Sequence, residues 1–296
     1  MNTIGIDIGG TQLRAAVVSE SYELLDVYKT DNDRALTCEQ NMDRLLDYVC
    51  TVCDGAGGIG IGSPGPLNVR TGTIVRPPNM FGWDGFGIVR HTEQRTGLRA
   101  VLNNDGNVAA LAEAVLGSGQ GCESVVFVGL STGVGGGYVY RGEIVSGAHC
   151  NAAEWWNMMV SDDYHCHKNA NPGSLNEQCS GSGLAMWASE HYGEATDART
   201  LIERHGAGDP HATRILEHGA EMLGRGFANI MCAMDPDVIV VGGSVAVHNP
   251  FFLEWAVRKA QPYLIDPDSL HVKEASFGDD AGLIGAALLL REKSGS

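Results

Sequence analysis

Apolar runs of strand length, each closed by glycine, alternate along the chain with longer amphipathic stretches. Residues 3–8 (TIGIDI) and 13–18 (LRAAVV) are two such runs joined across Gly9-Gly10, a spacing that predicts a β-hairpin. A third strand is expected at about 24–28, a helix over about 39–54, and a strand at 58–62 (GIGIG) closed by SPGP. From 67 to 83 the chain reads as loop, centred on Arg76-Pro77-Pro78-Asn79. Residues 99–102 predict a short strand ending at Asn103-Asn104-Asp105. An alanine-rich helix then runs to Leu116, with Gly117 as its stop.

The pattern then restarts. Residues 124–130 (SVVFVGL) read as strand, STGVGGG at 131–137 as a glycine-rich turn, and 138–145 as the return strand. A long helix from about His211 ends at Asp235-Pro236. Strand VIVVG at 238–242, a Gly-Gly-Ser turn, a helix from about Pro250 and a last helix over about 280–292 follow. Two glycine-turned hairpins about 125 residues apart, each opening strands followed by helices, imply internal symmetry and two similar α/β lobes. The expected lobes are 1–117, rejoined by a C-terminal helix at 279–296, and 118–278, sharing a hinge and a cleft.

Composition narrows the function. The 296 residues, 44% of them hydrophobic, suffice for two cores. Charged residues are only 19%, and the 40 glycines, about twice the usual share, show no collagen-like period and so belong in turns. A formal net charge of −16 argues against binding nucleic acid or anionic membranes by charge. No apolar stretch reaches the roughly 18 residues of a membrane span and no basic leader opens the chain, so a soluble cytoplasmic protein is expected. The eight cysteines are scattered and read as free thiols. Cys50 and Cys53 form a CxxC within a helical pattern and read as buried helix thiols rather than a redox pair.

The glycine turns have a chemistry of their own. A strand, a tight glycine turn and exposed backbone N–H groups cradle phosphate, because glycine lets an anion approach the main chain. Gly9, Gly10 and Thr11 form the first candidate cradle, with Asp7 at the strand end suited to the water shell of Mg2+. Thr132, Gly133, Gly135 and Gly136 form the second. Gly242, Gly243 and Ser244, between a strand and a helix, suit an adenosine-contacting loop. No Walker A motif is present.

Taken in order, IGIDIGGTQLRAAVV, GIGSPGPLNVRTG, PPNMFGW, NNDGNVAALAE, STGVGGG, DPDVIVVGGSV and DDAGLIGAALL resemble the ROK family of sugar kinases and sugar-responsive repressors, over nearly the whole chain. The resemblance implies a two-lobed, actin-like ATPase (ribonuclease H-like) α/β fold with a central cleft. It also implies ATP and Mg2+ as cofactors, a homodimer, and transfer of the γ-phosphoryl group to a sugar hydroxyl, the 6-OH by family expectation. By family position Asp105 is the general base that takes the acceptor's proton, although an Asp at that place also suits a helix N-cap. Gly65 in SPGP, Asn79 in PPNM, Asn104, Asp105 and Glu154 in AAEWWN supply sugar hydrogen bonds. Trp155 and Trp156 read either as core or as a stacking wall for a sugar face. Closure over the substrate is expected, because water would compete as acceptor.

Two positions depart from the family pattern. Asn157 stands where the family has a histidine that binds sugar and zinc, and Asn176 where it has a sugar-binding glutamate. An amide donates as well as accepts, so a modified hexose such as N-acetylmannosamine is expected alongside glucose. The zinc segment CxCGxxGCxExxxSG appears as HKNANPGSLNEQCSG, with His167, Asn169 and Ser174 at its cysteine positions. Zinc is therefore expected to be absent; the counter-reading is a rebuilt site of Cys150, His165, Cys166, His167 and Cys179. The rival functions are a ROK repressor, disfavoured by the acidic charge and by a glycine motif that starts at residue 4, and a non-catalytic ROK-type sugar sensor.

Overall fold

The computed structural model describes residues 1–77, 80–162 and 171–291. The chain gathers into two compact units. One holds Met1–Leu116, Glu143–Ala152 and the stretch from Asp279, the other Gly117–Gly142 and Ala153–Gly278. Residues 143–152 thus group with the first unit, whereas their place in the chain assigned them to the second lobe.

In the first unit β1 (Thr3–Ile8) and β2 (Gln12–Val18) form the expected hairpin, with Ile8 opposite Leu13. β3 (Leu24–Asp31) pairs antiparallel with β2 and runs on past residue 28. Helix α1 (Cys38–Val52) starts from a capping box in which Thr37 and Gln40 satisfy each other's backbone N–H groups. β4 (Ile59–Ser63) lies parallel to β1. The expected loop contains a small ladder, β5 (Leu67–Asn68) with β6 (Thr73–Ile74). Next come α2 (Ile88–Thr96), β7 (Ala100–Asn104) parallel to β4, and α3 (Asp105–Val115), which begins where β7 ends. Gly117 does not stop α3: the cap is Leu116, whose N–H reaches the Ala112 and Glu113 carbonyls without a left-handed residue.

β8 (Ser124–Leu130) and β9 (Val134–Tyr140) form the second hairpin, followed by β10 (Glu143–Ile144). The turn between β8 and β9 is only residues 131–133, so Gly135 and Gly136 belong to a strand and not to the expected turn. The reason is packing. A Cβ on Gly136 would overlap the Trp155 ring, whose Nε1 donates to the Phe127 carbonyl at 3.1 Å. Here glycine makes room for an indole rather than for a reversal of the chain.

The second unit continues with α4 (Leu175–Cys179), α5 (Gly181–Tyr192), α6 (Ala198–Gly206) and α7 (Pro210–Met234). Asp209 caps α7, and a left-handed Asp235 (φ 44°) ends it before Pro236. β11 (Val238–Gly242), α8 (Ser244–Val247), α9 (Pro250–Ala260) and β12 (Val272–Glu274) complete the unit. The two sheets run β3-β2-β1-β4-β7 and β10-β9-β8-β11-β12. Both orders read third, second, first, fourth, fifth, with the first strand antiparallel to the second and parallel to the fourth.

Each unit has its own core: Ile4, Ile6, Leu45 and Ile61 lie in the first, Leu184, Leu223, Phe227 and Phe252 in the second. The last helix, α10 (Ala281–Leu288), packs on β1, β4 and α3 of the first unit at backbone distance. A Cβ on Gly5 or Gly60 would overlap the Leu283 or Ala286 carbonyl, and one on Gly285 the Val108 carbonyl. Among the described residues, no helix is long and apolar enough to cross a membrane.

Candidate functional site

In the first unit, the β1–β2 turn is closed by the Gly9 N–H donating to the Gln12 carbonyl at 2.8 Å. Asn32, just beyond β3, braces it twice. Its Nδ2 donates to the Gly9 carbonyl at 3.0 Å and its backbone N–H to the Thr11 carbonyl at 2.9 Å. Among the described residues the N–H groups of Gly10 and Thr11 meet no acceptor. They border an open depression of about 530 Å³ whose wall includes Arg34 and Arg44 as well as Asp31 and Asp33.

Asp7 already has a partner. Arg14 Nε and Nη2 both donate to its Oδ2, at 3.1 and 2.6 Å. The guanidinium balances the carboxylate charge on the Oδ2 side, and Oδ1 is the oxygen that would face the magnesium-bound water expected there. Sequence reading passed over both Arg14 and Asn32. For Arg14 the signal was there, because the hairpin register sets Asp7 directly opposite Arg14.

At the end of β7, Asn104 and Asp105 separate two roles. Asn104 is the N-cap of α3, its Oδ1 accepting from the Gly106 N–H at 2.9 Å. Asp105 is the exposed first residue of the helix, and its Oδ1 accepts from the same N–H at 2.8 Å. The amide and the carboxylate thus share one helix-start donor, and the carboxylate lies at the surface. Gly65 adjoins this pair, since a Cβ there would lie 3.2 Å from Asn104 Nδ2. Asn79 lies outside the described residues.

In the second unit, three neighbours hold the turn at residues 131–133. Gly181 N–H donates to the Ser131 carbonyl at 2.8 Å, Ser182 N–H to the Thr132 carbonyl at 3.0 Å, and Ser244 N–H to Ser131 Oγ at 3.2 Å. In a planar trans peptide the N–H points opposite to the carbonyl. With the 131 and 132 carbonyls turned toward the start of α5, the N–H groups of Thr132 and Gly133 face away from it. They meet no acceptor among the described residues. Gly243, with φ 88°, adopts a left-handed backbone where a Cβ would overlap the Leu130 carbonyl, so the Gly242-Gly243-Ser244 loop sits hard against this turn.

Glu154 precedes a single helical turn, Trp155–Asn157. Trp155 is core, and Trp156 is half-buried with its Nε1 donating to Glu154 Oε2 at 2.5 Å. Glu154 is exposed as a residue, yet the protein crowded around its carboxyl desolvates it and raises it above its ordinary value, a rise the indole bond partly offsets. Asn157 is exposed and accepts from Asn171 Nδ2 at Oδ1. Asn176, on α4, accepts the Val134 N–H at 3.0 Å and donates to Glu177 Oε1 at 3.2 Å.

Each unit thus carries a glycine-built turn with backbone donors that meet no acceptor among the described residues, and the first also carries an exposed carboxylate at a helix start. Residues 3–293 match the model of the ROK family. The chain belongs to the ROK family. It is 32% identical to N-acetylmannosamine kinase of Escherichia coli over 98% of both chains. Its structure is similar to that of the ROK hexokinase from Thermus thermophilus (TM-score 0.90, 32% identity, 97% of each chain). It is also similar to a ROK family glucokinase from Streptomyces griseus in complex with glucose and AMPPNP (TM-score 0.79, 28% identity, 98% of this chain and 99% of that one). The fold is the actin-like ATPase fold of the ROK kinases.

Of this ROK chain's altered zinc segment, His165, Cys166, His167 and Asn169 lie outside the described residues. Cys179 is fully buried, its Sγ donating to the Leu175 carbonyl at 3.2 Å, and burial pushes the thiol far up. Ser174 is buried too. Among the described residues no group of three or more His, Cys, Asp or Glu side chains is arranged to hold a metal ion. The seven cysteines described are free. Cys50 is exposed and Cys53 half-buried, not buried as expected, because they lie on the outer part of the last turn of α1 and at its cap.

Proposed function

We propose that this ROK chain, an ATP-dependent sugar kinase, transfers the γ-phosphoryl group of ATP to a hydroxyl, the 6-OH, of a hexose or modified hexose such as glucose or N-acetylmannosamine. The start of α3 supports the reading: Asn104 holds the N-cap position, and Asp105, which shares the Gly106 N–H with it, presents an exposed carboxylate. Asp105 acts as general base and takes the proton of the attacking hydroxyl. Gly65, Asn79, Asn104, Glu154 and Asn157 contact the sugar. The backbone N–H groups of Gly10, Thr11, Thr132 and Gly133 serve the phosphates, with Gly9 and Gly135 shaping the two turns, and Gly242, Gly243 and Ser244 serve the adenosine side. ATP supplies the phosphoryl group, and Mg2+ neutralises charge on the phosphates when bound. A cytoplasmic homodimer completes the reading.

An ADP-release screen with Mg-ATP against glucose, mannose, N-acetylmannosamine and N-acetylglucosamine names the acceptor. With that acceptor, Asp105→Asn is expected to lose at least ~10²-fold in kcat while Mg-ADP affinity stays at the wild-type value. Near-wild-type turnover in the variant removes Asp105 from the reaction.

A further inference from the structure

We infer that Asn176 is a positioning residue for the phosphate-binding turn at residues 131–133, rather than a sugar ligand. The inference rests on the kinase reading for what that turn holds. Its geometry stands independently. Both ends of the Asn176 amide are engaged within the second unit, Oδ1 by the Val134 N–H at 3.0 Å and Nδ2 by Glu177 Oε1 at 3.2 Å. Val134 is the first residue of β9 and pairs with Leu130, the last of β8. Asn176 therefore grips the hairpin at the pair that closes it.

The turn backbone lies directly on the amide. A Cβ on Gly133 would fall 3.1 Å from Asn176 Oδ1, closer than a side-chain carbon ordinarily comes. The carbonyls of Ser131 and Thr132 are held by the N–H groups of Gly181 and Ser182, two residues at the start of the helix that follows α4. With the α4–α5 junction taking two carbonyls and Asn176 taking the N–H that follows, the peptide planes carrying the Thr132 and Gly133 N–H groups have little freedom to rotate. Donors fixed before an anion arrives bind it without the cost of ordering them. Val134 is itself buried, so without Asn176 its N–H loses its acceptor in a place water reaches poorly.

Two kinds of measurement separate a turn-positioning residue from a sugar ligand: Mg-ADP binding by calorimetry without sugar, and the KM values for ATP and for sugar. Asn176→Ala is expected to weaken Mg-ADP binding about tenfold and to raise the ATP KM similarly, the loss of one hydrogen bond of about 1.4 kcal/mol. The sugar KM is expected to stay within about twofold, since only the nucleotide turn has lost a support. Asn176→Asp keeps an acceptor for Val134 but places a second carboxylate beside Glu177, and is expected to fall between alanine and wild type. Gly133→Ala presses on the same amide from the other side and is expected to give the same nucleotide-specific loss, which keeps the test alive if Asn176→Ala fails to fold. A raised sugar KM with unchanged Mg-ADP binding overturns the inference and makes Asn176 a sugar contact. Wild-type protein that binds Mg-ADP, responds to these variants, yet turns over no sugar would overturn the kinase reading alone; wild type without Mg-ADP binding overturns both.

Discussion

At the scale of the residue, Glu154 is pulled in two directions. Its surroundings disfavour the carboxylate, and the Trp156 indole N–H favours it. On the proposal that Glu154 accepts a sugar hydroxyl as a carboxylate, kcat/KM for sugar is expected to fall on the acid side at a pH above the ordinary carboxylate value of about 4.3. Trp156→Phe deletes the one influence that lowers the value, and the acid limb is expected to move to higher pH. Glu154→Gln is expected to remove the limb. An acid limb unmoved in Trp156→Phe sinks the assignment. Stability has the opposite sign: a carboxyl raised in the fold favours folding while protonated, and that contribution fades as pH rises through the folded value. Asp105, by contrast, was singled out by motif alone, and both readings of it stand at the start of α3: it is exposed, and its Oδ1 shares the Gly106 N–H with Asn104 Oδ1.

At the scale of the element, glycine had more than one use, and the sequence could not tell them apart. The first hairpin, β8 and β11 were legible to within one residue, because an apolar run between glycines means the same thing wherever it packs. The start of β9 was not. Gly135 and Gly136 look like a turn until Trp155, a residue from a later segment, is placed over Gly136. The same holds for Gly5 and Gly60, whose missing side chains let α10 lie against the sheet. Gly60→Ala is expected to destabilise the first unit by about 1–3 kcal/mol, the usual cost of overpacking, since the new methyl meets a backbone carbonyl and not a pliable side chain. Thermal unfolding reads the loss directly, and an unchanged melting temperature would show α10 free to shift.

At the scale of the whole molecule, repeated sheet order and acidic charge dominate. The duplication was legible as two glycine-turned hairpins, and the structure extends it to five strands in each sheet. The assignment of 143–152 to the first unit was hidden, because chain order does not report which neighbours a short segment packs against. A net charge of −16 on 296 residues repels itself, and salt screens that repulsion. Raising sodium chloride from about 10 mM to about 0.5 M is expected to lift the melting temperature by several degrees, the opposite of what a protein held by surface ion pairs would show. Differential scanning calorimetry at fixed pH decides between them.

The place of α10 has a consequence for how the protein is made. Its carbonyls cover the backbone of Gly5 and Gly60, yet the ribosome delivers it only after the entire second unit. Until then the part of the nascent first sheet around Gly5 and Gly60 lacks its cover, for seconds to tens of seconds at ordinary elongation rates of about 5–20 residues per second. The first unit to be translated is thus the last to be finished.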